Sequence, residues 1–85
     1  MPYIKQEDRE RLDNIVDKVP DLITDGELNY LITRILANHC HNYSSINSMI
    51  GILECVKLEL YRRKAAPYED LKIHENGDVL EYCSS

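Results

Sequence analysis

Tyr30 and Arg34 stand one helical turn apart in "GELNYLITRI", residues 26–35, with Glu27 one turn before them. On a helix, Glu27, Tyr30, Arg34, Asn38 and His41 step by three or four and form one polar-aromatic line. A phenol ring beside a guanidinium suits a nucleotide-like ligand, because the ring stacks on a base and the fork holds phosphate through two parallel bonds. Further on, Glu54, Lys57 and Tyr61 repeat the spacing, and Arg62, Arg63, Lys64 and Tyr68 lie just beyond. The expected site has Tyr30 and Arg34 on one wall, and Tyr61, Arg62 and Arg63 on the other. Glu27 is expected to hold Arg34 in place. A plainer account makes these exposed pairs along a helix, with the basic triplet complementing a helix C-terminus.

Other chemistries find less support. The "HCH" at 39–41 has metal-ligand types, but residues two apart on a helix point about 160° away from each other. No second short-spaced pair completes a tetrahedral set, so no metal is expected. Neither a GxSxG nucleophile motif nor a phosphate-cradling glycine loop occurs, and no cofactor is implied. Carboxylates in "YED" and "ENGD" could do acid-base work in a small hydrolase, although acids at a helix end and a turn are ordinary solvated surface. The chain is expected to be a binder rather than an enzyme.

Composition narrows the field further. Eighty-five residues suffice for one small domain, 44% of them hydrophobic, which is globular rather than disordered. The formal charge is −5, so polymeric nucleic acid is not an expected partner. Cys40, Cys55 and Cys83 are odd in number and widely spaced, which favours reduced thiols. No run of about 20 apolar residues suits a bilayer. The charged start "MPYIKQEDRER" lacks the apolar stretch of a signal peptide. A cytoplasmic location without membrane attachment follows as the expectation.

The elements that must position these residues are mainly helical. Leu12, Ile15, Val16 and Val19 recur at helical spacing, predicting a helix over 6–19 that Pro20 stops. Thr24 and Glu27 have capping-box spacing, and Leu28, Leu31, Ile32, Ile35 and Leu36 make a core stripe, predicting a helix over 25–41. A third helix over 45–64 carries apolar residues round most of its circumference. Such a helix is usually buried on more than one side. Two shorter helices cannot comfortably surround it in so small a chain, so a homo-oligomer is expected, with Met49, Gly51, Ile52 and Cys55 at the interface; the plainer account is a central helix wrapped by the chain's own tail. Gly51 and Cys55, one turn apart, would admit a close neighbour. Pro67 is expected to close this helix. Asn76-Gly77 then predicts a hairpin over 71–82, with Ile73 facing Leu80 and Lys72 facing Glu81. The fold class is therefore a small three-helix domain spanning 1–85, with a long central third helix, a short C-terminal β-hairpin, and an oligomeric state.

The blocks "MPYI", "GELNYLIT", "IGILECVKLELYRR", "APYED" and "KIHENGDV" together resemble a family of short uncharacterised prokaryotic and phage proteins. The likeness spans nearly the whole chain. It implies small size and a bacterial or phage setting, with the bacterial host cell as the location if phage-encoded, and it brings no catalytic residues. By a looser analogy of size and charge, some short phage proteins are oligomeric sponges that sequester nucleotide immune signals as an anti-defence device. The expected function is thus sequestration of a small anionic nucleotide-derived molecule by a non-enzymatic oligomer. The alternatives are a helical protein-protein module and the small hydrolase.

Overall fold

Local hydrogen bonding decides where each helix begins, and the two best starts are reciprocal side-chain caps. The computed structural model describes residues 1–83, and its elements are α1 (Glu10–Val16), α2 (Asp25–Ala37), α3 (Tyr43–Leu60) and α4 (Ala66–Asn76). The chain forms two units, Met1–Leu53 and Glu54–Ser85, and α3 crosses the boundary. No strand occurs among the described residues.

In the first unit, the helix expected over 6–19 is split. A 3-10 turn, Gln6–Asp8, precedes α1, and Arg9 at the junction has no side-chain cap. The Arg9 guanidinium instead donates to the Ile4 carbonyl from Nε at 2.9 Å and Nη2 at 2.6 Å, tying the N-terminal arm to the helix start. After Val16, single turns carry the chain towards Pro20, closed by Lys18 N–H to Ile15 at 3.1 Å and Val19 N–H to Val16 at 2.9 Å.

The α2 start is the capping box foreseen from its spacing. Glu27 N–H donates to Thr24 Oγ1 at 3.1 Å, and Thr24 N–H donates to Glu27 Oε1 at 2.9 Å. Two amides that a helix end leaves orphaned are thereby satisfied. Its far end comes sooner than expected, at Ala37 rather than residue 41, with 3-10-type bonds at His39 and Cys40. A second reciprocal cap starts α3. Ser45 N–H donates to Asn42 Oδ1 at 2.9 Å while Asn42 N–H donates to Ser45 Oγ at 3.0 Å. This is why α3 begins at Tyr43, earlier than the expected residue 45.

The C-terminal part differs most from expectation. Pro67 does not close the helix, because the backbone widens into a π turn, Tyr61–Ala65, just before it. Pro67 has no N–H for the carbonyl four residues back, and its ring crowds that carbonyl. The widened turn moves the bonding to a five-residue step, with Ala66 N–H donating to Tyr61 O, and places proline in the first turn of α4, where a missing N–H is tolerated. The chain stays helical through Asn76, so the hairpin over 71–82 is not formed. Among the described residues only Gly77 takes positive φ, at +89°, where a type I′ hairpin turn needs it at Asn76 as well. Gly77 N–H caps α4 by donating to Ile73 O at 2.8 Å. The hairpin register faced Lys72 with Glu81, whereas the helix pairs Lys72 with Glu75 at 3.1 Å. A 3-10 turn, Leu80–Tyr82, follows.

Apolar stripes are present but little covered. In α2, Leu28 remains 41% exposed and Ile35 49%, and no described residue in either unit is buried. Among the described residues, no helix is long and apolar enough to cross a membrane.

Candidate functional site

Four residues separate Tyr30 from Arg34, and the α2 backbone sets them side by side as expected. Arg34 Nη1 donates to Tyr30 Oη at 3.3 Å, and the guanidinium carbon lies 6.0 Å from the ring centroid. That distance is the outer limit of a cation-π contact. Tyr30 is 62% exposed, and with Asp25, Gly26, Asn29 and Thr33 it lines a shallow depression open to solvent. Thr33 Oγ1 donates to Asn29 Oδ1 at 3.1 Å within it.

Glu27 does not support Arg34. Its carboxylate is committed to the cap, and hydrogen bonding from the Thr24 backbone N–H, then from the Thr24 hydroxyl, holds it below the usual carboxylate range. The capping-box spacing already contained this outcome. A carboxylate that satisfies an orphan amide at the positive end of a helix has a better partner there than across a solvent-exposed turn.

The other expected wall lies in the second unit, and its residues are split in role. Arg62 Nη2 pairs with Glu59 Oε1 at 2.6 Å. Arg63 makes no ion pair among the described residues, and neither does Lys64. Tyr61 keeps an exposed ring and joins Lys57, Leu60, Lys64, Ala65 and Tyr68 along one shallow groove. Those positions follow helical steps of three and one, so two ammonium groups and two phenols share a face. Lys57 also pairs with Glu54 at 3.1 Å. The sequence reading placed Lys57, Lys64 and Tyr68 near the site without assigning them to it, although their spacing to Tyr61 was the available signal.

The π turn creates a contact that spacing alone does not suggest. In a regular helix, residues eight apart are about 80° round and about 12 Å up from each other. Widening the turn between Tyr61 and Glu69 reduces both offsets. The Tyr61 hydroxyl then hydrogen-bonds to the Glu69 carboxylate, which pushes the phenol above its ordinary value, and the nearby charges of Glu69 and Asp70 push the same way. A raised pKa in the folded state adds stability that is complete below the unfolded tyrosine pKa and is lost as pH rises through the folded value. Ultraviolet titration should find a phenol ionising above the ordinary tyrosine value, and Glu69→Gln should bring it back down. If the Glu69→Gln profile overlays the parent's, the pairing is absent in solution.

A second concavity was hidden by the expected hairpin. Asp78, Val79 and Tyr82 lie along α4, and with Tyr68, Glu69, Lys72 and Ile73 they line the hollow. Lys72 Nζ lies 5.5 Å from the Tyr68 ring centroid. Three of the four carboxylates considered for a hydrolase are engaged in this part of the chain. Glu69 meets Tyr61, Glu75 meets Lys72, and Asp78 Oδ1 accepts from Val79 N–H at 2.8 Å.

Of the expected interface residues, Met49 is half-buried, Ile52 and Cys55 are exposed, and a methyl group added at Gly51 would meet nothing within 4 Å. Cys40, Cys55 and Cys83 are free thiols. No three His, Cys, Asp or Glu side chains among the described residues converge as a metal site would require.

No curated protein and no solved structure matches the chain. Residues 1–79, nearly the whole of it and every block from "MPYI" to "ENGDV", match the model of one family, and the chain belongs to that family, described as a domain of unknown function (DUF6899).

Proposed function

We propose that the chain is a non-enzymatic homo-oligomer that binds, and so sequesters, a small anionic nucleotide-derived molecule. The observation that carries the ligand class is the exposed face shared by Lys57, Tyr61, Lys64 and Tyr68, next to Arg63, which makes no ion pair among the described residues. Ammonium and guanidinium groups would hold phosphate, and a phenol ring would stack on a base. The Tyr30–Arg34 pair on α2 offers the same ring-and-guanidinium chemistry in the first unit. A phage anti-defence sponge is one setting in which such a protein would act.

The assembly half of this reading is supported by uncovered apolar surface on α3, including the proposed interface residues Ile52 and Cys55, with Met49 half-buried and Gly51 open to solvent on the same helix. The same surface favours a second reading, a helical interaction module that docks a different protein.

A thermal-shift series with mono-, di- and cyclic nucleotides tests the ligand class. A ligand at 100 times its Kd stabilises by about 2.7 kcal/mol, which for a domain of this size raises Tm by roughly 10 °C or more. Recovery of the nucleotide unchanged after heating the complex distinguishes a binder from a hydrolase. A flat series across all nucleotides rejects the ligand class and leaves the interaction module.

A further inference from the structure

Tyr68 belongs to both concavities of the second unit. On one side it lines the groove with Lys57, Tyr61 and Lys64, and on the other the hollow that α4 forms with Asp78, Val79 and Tyr82. Every lining residue of the two lies within Glu54–Ser85, so the arrangement is a property of that unit by itself. Glu69 joins them a second time, because it lines the hollow while its carboxylate accepts from the Tyr61 hydroxyl of the groove. Groove and hollow are neighbouring halves of one trough, divided at Tyr68.

The halves differ in charge. Among the described residues the groove is lined by two ammonium groups and no carboxylate. Lys57 pairs with Glu54, and Lys64 makes no ion pair among the described residues. The hollow sets Glu69 and Asp78 against Lys72, whose charge is already met by Glu75 at 3.1 Å. The rest of its wall includes Ile73, Val79 and Tyr82, the last held by a 3-10 turn in which Tyr82 N–H donates to Val79 O at 3.0 Å. Like charge repels a phosphate there. An uncharged ring bearing N–H donors fits instead, since the apolar wall takes its face and an ionised carboxylate only accepts. Asp78 keeps capacity for this, because Val79 N–H engages Oδ1 and the carboxylate has a second oxygen.

We infer that a nucleotide lies in this trough in one direction, with its phosphate over Lys57 and Lys64 and an amino-bearing base beyond Tyr68, against Tyr82 and Asp78. The inference rests on the ligand class of the proposed function and deepens it, adding recognition of the base by the segment after α4. Adenine, guanine and cytosine present an amino donor to such a carboxylate, and uracil has none.

Titration calorimetry of the full chain with the four ribonucleoside 5′-monophosphates, at two salt concentrations, tests the direction. Uridine monophosphate should bind weakest. Lys64→Ala should lower affinity for the others about tenfold or more and flatten its dependence on salt. Tyr82→Ala should lower affinity about fivefold or more with the salt dependence kept, as loss of a stacking ring does. Asp78→Asn reads the sign. It weakens binding if the base occupies the hollow, and tightens it if the phosphate does, because the repelling charge is gone. The asparagine carbonyl can still accept from Val79 N–H, and circular dichroism of each variant checks that the helices are intact. Monophosphates that bind but prefer uridine, ignore Tyr82→Ala or tighten with Asp78→Asn overturn the direction and leave the ligand class standing. Monophosphates that do not bind at all overturn the inference, and the thermal shifts with di- and cyclic nucleotides then decide the ligand class separately.

Discussion

Gly51→Trp should weaken self-association roughly 30-fold or more, from an overpacking cost of about 1–3 kcal/mol in each of two copies. The substitution is informative because a side chain can leave the backbone at position 51 into open space. A Cβ at position 51 meets no atom within 4 Å, and the residue lies in the middle of α3 with ordinary helical φ. Tryptophan is also the better helix former, so the isolated helix is not weakened. Any loss must therefore come from a neighbouring copy that approaches the glycine closely. Sedimentation of parent and variant over the same concentration range reads the effect. Equal association constants would move the interface off the Gly51–Cys55 side of α3, and the remaining exposed faces, around Leu58 and Leu60, would be the next to substitute.

Arg34→Ala and Arg63→Ala, tested separately, should each lower nucleotide affinity about tenfold or more, since a hydrogen bond to a charged group contributes about 1.5–3 kcal/mol. Both side chains are exposed, and neither holds a carboxylate among the described residues. Stability without ligand should consequently stay within about 0.5 kcal/mol of the parent. Titration calorimetry with the nucleotide that gives the largest thermal shift measures the first quantity, and melts of the unliganded variants measure the second. Undiminished affinity in both variants would place the ligand away from these cations. A variant that loses folding or assembly while its folded fraction binds normally would make that arginine structural. In the case of Arg34, the bond to Tyr30 would then be a brace on the last turns of α2, and "GELNYLITRI" an interface helix.

The elements that were legible in the sequence are those whose determinants lie within one or two turns. Thr24 and Glu27 announce the start of α2 because both partners of the box sit in the same four residues. Tyr30 and Arg34 meet because the helix leaves them adjacent whatever else the chain does. Asn42 and Ser45 carry an equally local signal, since both partners of that cap lie within four residues. The role expected for Glu27 failed for a related reason: two local partners competed for one carboxylate, and the amides at the helix start outbid an exposed guanidinium.

By itself, then, the sequence determined the helical class, the caps, and the adjacency of side chains on one face, since these follow from backbone geometry and the nearest neighbours. It could not decide between helix and hairpin for 71–82, where Asn76-Gly77 serves as a turn in one and as a helix end in the other. Only the three-dimensional structure decided that, through a π turn that lets the helix pass Pro67 and through pairs such as Tyr61–Glu69 and Lys72–Glu75 that exist only once it has passed. The physical reason is that a proline's effect depends on whether the preceding turn can widen and on what the widened turn brings together, and Tyr61 and Glu69 lie eight residues apart along the chain.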